Sequence, residues 1–301
     1  MVLAAKGPDV LDQTVAFLAK REGIDKTLKI IRYTTRLLLA MALRDSGGGE
    51  LAQRLKRFEG SIATSRKAYR LGKFLGDVNT LRKTRLHAPY AALEWIAAGG
   101  ECVYYFTDQL IWLVKAGLLP DRYGRSLGKV SAWGEFIGYL GSITLSLLRI
   151  ALLLEREAAL LAELQRQRAL AERQRRKQAS AAGAESLPLA SAAGAGGGSW
   201  DPAATAGPTQ AAQEGEQEAE GGGSAKALAA EISQLRARRT LRTLGLVQDL
   251  ADLLMVLPEI RGQGSKPGRL GAALSGPAVL ALAGLASGCL SAYKNWPGAA
   301  R

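Results

Sequence analysis

The chain has 301 residues, with 40 Lys and Arg against 27 Asp and Glu, a formal charge of +13 and 48% hydrophobic residues. A single histidine, His87, excludes a catalytic triad or an imidazole-built zinc site within one chain, and two distant cysteines, Cys102 and Cys289, exclude a disulfide framework. The basic surplus points to anionic partners, and a mean hydropathy of zero in so apolar a chain means strongly apolar and strongly polar stretches alternate, as in a membrane protein with soluble segments.

Pro8 and Asp9 predict a helix start, with Leu11, Val15 and Leu18 at helical spacing behind them. Gly23 interrupts, Asp25 is placed to cap a second helix, and Leu28, Ile31, Leu38 and Ala42 carry the period on to Ser46-Gly47-Gly48-Gly49. Residues 1–49 thus read as a kinked helical pair. Residues 50–86 read as a basic amphipathic helix, since ten basic residues between 50 and 85 face only three acidic ones. On a helical wheel Leu51, Leu55, Phe58, Ile62 and Tyr69 form one stripe, most of the basic residues fall outside it, and Arg54, Arg57, Arg66, Lys67, Arg70 and Lys73 are the candidate headgroup contacts. The stripe then shifts to Leu71, Phe74, Val78 and Leu81, which predicts a bend near Gly72.

Residues 87–177 are expected to hold central helices. In 91–119, Glu94, Glu101, Asp108 and Lys115 recur every seven residues along one face, so this stretch is no simple span; a solvated stripe is the plainer expectation for the three acids. Residues 136–154 have Arg149 as their one charge and make a candidate span. Residues 178–225, rich in Ala, Gly, Ser and Glu, read as a disordered linker. The segment 226–301 then gives a helix ending at Pro258, a loop through Gly268, and a C-terminal transmembrane candidate, 270–293, with Tyr293 and Trp296 at its interface end. Gly284 and Gly288 form a GxxxG within it that lets two helices approach closely. The fold class expected is all-α.

No constellation supports catalysis. The stretch 124–129, GRSLGK, is one residue short of a phosphate loop, has Val130 in place of the magnesium-binding hydroxyl, and reads as a turn. Asp249 and Asp252 share a helix face, which reads as a polar face or as pairing with Arg242 or Arg239 rather than acid/base chemistry. We therefore expect no enzyme, no cofactor and no metal. Without a recognisable nucleic-acid module, the basic helix reads as an interfacial helix for anionic phospholipids, because apolar burial and attraction to lipid charge add. Nucleic acid is not expected as a partner. The N-terminal residues lack the pattern of a secretory signal and the C-terminal ones a matrix tripeptide, so a membrane destination would rest on internal signals.

Four segments in order carry a family resemblance. LDQTVAFLAKREGIDKTLKIIRYTTRLL (11–38), RKAYRLGKFL (66–75), YYFTDQLIWLVKAGLL (104–119) and LVQDLADLLMVL (246–257) with the uncharged stretch behind it resemble the peroxin-11 family of peroxisome-proliferation proteins. The resemblance fails only in the linker. It implies an integral peroxisomal membrane protein with both termini cytosolic, self-association into homo-oligomers, and recruitment of fission machinery including a dynamin-related GTPase. The mechanism expected is insertion of the apolar stripe into the cytosolic leaflet, with Arg54, Arg57, Arg66, Lys67 and Arg70 on lipid headgroups, so that one leaflet expands and the bilayer curves. The alternative is a pore or transport subunit for small metabolites lined by Glu94, Glu101, Asp108 and Arg149.

Overall fold

The computed structural model describes residues 9–46, 49–85, 87, 89–185, 210–261 and 269–297. Among them every long element is an α-helix: α1 Val10–Leu18, α2 Arg21–Ser46, α3 Glu50–Tyr69, α4 Phe74–Lys83, α5 Ala91–Lys115, α6 Gly124–Glu185, α7 Gln210–Arg261, α8 Arg269–Leu274 and α9 Pro277–Asn295. The chain divides into two compact units, Met1–Ile150 with Leu241–Arg301, and Ala151–Thr240.

In the first unit the local sequence explains most boundaries. Asp9 caps α1 in a reciprocal box with Asp12, each side chain accepting from the other's backbone N–H, while Pro8 lies outside the described residues. Asp25 does not cap α2, which begins four residues earlier; it is buried at 5% exposure and takes arginines instead. Gly23 does not break the helix either. A Cβ there would sit 1.9 Å from the Phe17 carbonyl oxygen, so glycine lets the last turn of α1 approach the first turn of α2. The bend expected near Gly72 is a turn between α3 and α4, and Gly72 carries it at φ +74°, where a side chain would be strained.

Gly100 of α5 meets Gly134 and Gly138 of α6 at backbone contact. A Cβ on Gly100 would lie 2.4 Å from the Gly138 nitrogen, and one on Gly141 2.7 Å from the Ala97 nitrogen. The stretch 124–129 is the first turn and a half of α6 rather than a connecting turn. Helix α7 passes through Pro258 and stops three residues later, at Arg261. The uncharged stretch 270–293 is not one continuous span. Ser275 and Gly276 separate α8 from α9, and Pro277 starts α9 at the position where a missing N–H costs nothing.

Two helices are long and apolar enough to cross a bilayer, α6 and α9, with mean hydropathy of 1.8 and 1.2 over their best windows. At 19 residues α9 is about 28 Å long, close to the hydrocarbon thickness. Its small residues Ala281, Gly284, Ser287, Gly288 and Ser291 are buried, while Leu282 and Tyr293 are exposed.

The second unit pairs its share of α6 with its share of α7. Leu164, Ile232 and Leu235 are buried, and Arg156 with Glu231 and Glu157 with Arg236 and Arg239 flank them. Of the expected linker, 186–209 lie outside the described residues, whereas 178–185 and 210–225 are helical. Their Ala, Glu and Gln content favours extending a helix already nucleated, even without an apolar stripe.

Candidate functional site

Helix α3 and the turn behind it turn a charged seam inward. Arg66 and Arg70 both donate through Nε to the same Asp25 carboxylate oxygen at 3.1 Å, and Lys67 donates to Asp108 of α5. Arg70 Nη1 also reaches the Tyr104 hydroxyl at 2.7 Å, and Lys73 Nζ reaches the Tyr105 hydroxyl at 2.7 Å while lying over that ring. Glu59, from the same helix, accepts from Arg32 and Arg36 of α2 at 2.6 and 2.9 Å.

Electrostatics follow from the crowding. Burial alone would raise Asp25, but Arg70, Arg66 and Lys26 around it hold it well below the usual carboxylate range. Burial, and then Lys73 beside it, push Lys26 down to about 7; burial, and then Arg70 and Lys115, do the same to Lys67.

This corrects the reading of the basic helix. Arg66, at 4% exposure, and Lys67, Arg70 and Lys73 are committed to protein partners rather than held out to headgroups. Ile62 is buried and Leu55 half-buried, so neither belongs to an outward stripe. The wheel could not see this because the acids that draw the cations inward come from α2 and α5, about 41 residues away in sequence. Asp108 is likewise no solvated residue, and Glu94 pairs with Arg149.

What remains outward is a smaller surface of the same character. Leu51, Phe58, Tyr69, Leu71, Leu75 and Val78 are exposed, with Phe58 at 51% and Leu75 at 59%. Arg54, Lys56 and Arg57 on α3, and Arg82 and Lys83 on α4, are exposed beside them. Apolar and basic side chains are thus exposed together on both α3 and α4.

Behind the seam lies a cavity of about 440 Å³, bounded by α2, α3, α5, α6 and α7. Lys29 crosses one side of it, donating to Asp252 at 2.7 Å and to the Ser287 hydroxyl at 2.6 Å; Asp249 accepts from Ser142 at 2.6 Å. Asp252 is thus taken by Lys29 and Asp249 by the Ser142 hydroxyl, while Arg239 pairs with Glu157.

Gly284 and Gly288 lie where α9 meets α2 of the same chain. A Cβ on Gly284 would fall 2.3 Å from the Tyr33 ring, and one on Gly288 3.1 Å from Ile30 Cγ1. The backbone contact of α5 with α6, Gly100 against Gly134 and Gly138 and Ala97 against Gly141, had a readable signal in the i, i+4, i+7 spacing of the three α6 glycines. Lys26 and Asp25 had none, because only their partners reveal them.

The family profile of Peroxisomal biogenesis factor 11 (PEX11) matches residues 11–296. The chain is 34% identical over 295 residues to Peroxisomal membrane protein 11A of Arabidopsis thaliana, covering 97% of this chain and 94% of the relative. It is 34% identical over 289 residues to Peroxisomal membrane protein 11-3 of Oryza sativa subsp. japonica, covering 96% and 89%. Peroxisomal membrane protein PMP30A of Candida boidinii is 29% identical over 166 residues, or 52% of this chain and 65% of the relative. No solved structure matches. A profile spanning nearly the whole chain, the order of the four segments and the all-helical fold agree, and the chain belongs to the Peroxisomal biogenesis factor 11 family.

Proposed function

We propose that the chain is an integral protein of the peroxisomal membrane that elongates and multiplies peroxisomes by seating the outward surface of α3 and α4 in the cytosolic leaflet. Its relatives are named as peroxisomal membrane proteins, and α6 and α9 supply candidate spans to anchor it. The observation that carries the mechanism is the exposed row Leu51, Phe58, Tyr69, Leu71, Leu75 and Val78 interleaved with Arg54, Arg57, Arg82 and Lys83. Each basic residue near an anionic surface contributes about 1 kcal/mol, and full burial of an apolar side chain about 1.5–3 kcal/mol. A handful of each holds the surface down, and many self-associated copies would be needed to curve a bilayer. The tubule would then be cut by recruited fission machinery, including a dynamin-related GTPase, with both termini cytosolic. Lipid is the partner in this mechanism; neither catalysis nor nucleic acid enters it.

A pore for small metabolites gains less from the geometry. Of its four lining residues Glu94 and Arg149 satisfy each other and Asp108 is held by Lys67, which leaves Glu101.

The test is imaging of the full-length tagged chain with a peroxisomal marker. The variant Arg54→Glu/Arg57→Glu/Phe58→Ser should reach peroxisomes yet fail to elongate them, while wild type elongates them. Equal elongation by the variant would remove the outward surface from the mechanism.

A further inference from the structure

The cavity behind α3 has walls of opposite charge. On the α2–α3 side four cations, Lys26, Arg66, Lys67 and Arg70, share two carboxylates, Asp25 and Asp108, and Lys73 beside them donates to the neutral Tyr105 hydroxyl. Asp25 alone serves three of them, with Lys26 no closer than 3.7 Å. Arg66 is 4% exposed, lines the cavity, and its Nη2 has no hydrogen-bond partner, although a buried guanidinium nitrogen without an acceptor is costly. On the other side Glu101, Glu135, Asp249 and Glu259 line the same space, and none of them makes an ion pair among the described residues. Their remaining bonds are to neutral groups: Asp249 accepts from Ser142 and Glu135 from the Tyr139 hydroxyl. Lys29 and Asp252 neutralise each other between the walls.

A protein left to itself would bring surplus cations and surplus carboxylates together. Here both line one cavity of about 440 Å³, yet those four carboxylates close to no ion pair among the described residues; the volume lies within the size range of small-ligand sites. A ligand that completes both walls must carry an anion with several acceptor oxygens at one end and a cation at the other. Phosphate suits the first wall, because guanidinium and ammonium groups bind its oxygens with charge-assisted hydrogen bonds. A primary ammonium suits the second.

We propose that this cavity binds a zwitterionic phosphate ester, its phosphate on Lys26, Arg66 and Lys73 and its amine on the carboxylates of α5, α6 and α7. Phosphoethanolamine, free or as a phospholipid headgroup, is the simplest such group. The site is separate from the lipid-facing surface of α3 and α4, and it stands or falls independently of the membrane-shaping role. The depressed Lys26 and the Glu101 carboxyl, which burial and then Asp77 push up to about 7, are what two half-satisfied walls produce. Occupancy would reverse both shifts.

The test uses the full chain purified in a neutral detergent. Calorimetric titration with O-phosphoethanolamine should show one saturable site. Glycerol 3-phosphate, which lacks the amine, should bind about tenfold more weakly, and Lys26→Gln/Lys73→Gln should weaken phosphoethanolamine about thirtyfold at unchanged melting temperature. Glu101→Gln should erase the preference for the amine without touching glycerol 3-phosphate. A second arm incubates the protein with vesicles of equal phosphatidylethanolamine and phosphatidylglycerol and reads the retained lipid by native mass spectrometry. Saturable binding of the soluble ester assigns the free compound. Retention of phosphatidylethanolamine over phosphatidylglycerol by wild type, lost in the lysine variant and without soluble binding, assigns the headgroup. Binding of neither, or no preference for the amine-bearing form in either arm, overturns the proposal on wild-type protein alone.

Discussion

The glycine contacts allow a graded test in which one added methyl group is placed at four depths. Alanine at Gly100 would push its Cβ to 2.4 Å from the Gly138 nitrogen and 2.7 Å from the Gly134 carbonyl oxygen, and backbone atoms cannot rotate aside. Helices α5 and α6 must separate, so the propensity gained by replacing glycine, at most about 1 kcal/mol, is outweighed by overpacking of about 3 kcal/mol. Alanine at Gly284 meets the Tyr33 ring at 2.3 Å; that ring is buried and flanked by Arg32 and Arg36, so it yields partly, for a net loss of about 1 kcal/mol. Alanine at Gly288 meets Ile30 Cγ1 at 3.1 Å, with the Ile30 nitrogen and Lys29 Cγ at an ordinary 3.5 Å, so a shift of a few tenths of an ångström relieves it and the change should be near neutral. Gly60, exposed on α3 with nothing within 4 Å, should gain about 0.5–1 kcal/mol. The assay is denaturant unfolding in detergent followed by circular dichroism, comparing midpoints at constant slope. If Gly100→Ala unfolds no more easily than Gly60→Ala, the α5–α6 contact is not at backbone distance and the reasoning fails.

Removing the acid from the Lys29 pair, Asp252→Ala, should cost about 3–5 kcal/mol because a buried ammonium loses its only carboxylate among the described residues, and Lys29→Met/Asp252→Leu should recover most of it; the same unfolding assay reads both. Asp25 titrates below its ordinary value of 3.8 in the fold, so its stabilising effect is complete above that pH and is lost as the pH falls below it towards the folded value. Asp25→Asn should therefore lower the melting temperature at pH 7 and flatten its decline between about pH 4 and 2, and an unchanged decline would show that Asp25 is not held by the arginines.

The sequence made the helices legible because each carries its own periodicity and stops, down to the Asp9 cap and the turn at Gly72. It made the candidate spans legible because length and charge decide them, although the break at Ser275 and Gly276 leaves no mark in a run that is apolar throughout. The direction each face of α3 points was not legible. A helical wheel sorts residues by polarity, whereas α3 buries Arg66 with Ile62 because α2 and α5 offer Asp25 and Asp108. Such pairings live between helices, and no window along one helix contains them. The same holds for the cavity, whose walls come from five helices.

The seating of α9 on α2 also sets an order of events in time. Lys29 bonds to Ser287 across 258 residues, and Trp296 donates to Gln13 across 283 while its ring lies 5.3 Å from that of Phe17. At roughly 5–20 residues per second of synthesis, α2 waits on the order of 10–50 s for the helix that covers it. During that interval the face bearing Ile30 and Tyr33 has no native partner, and it is then most open to a chaperone, to a wrong helix of the same chain, or to another copy. Loss of α9 by a late stop codon should therefore make the nascent chain aggregate rather than simply leave it less firmly anchored.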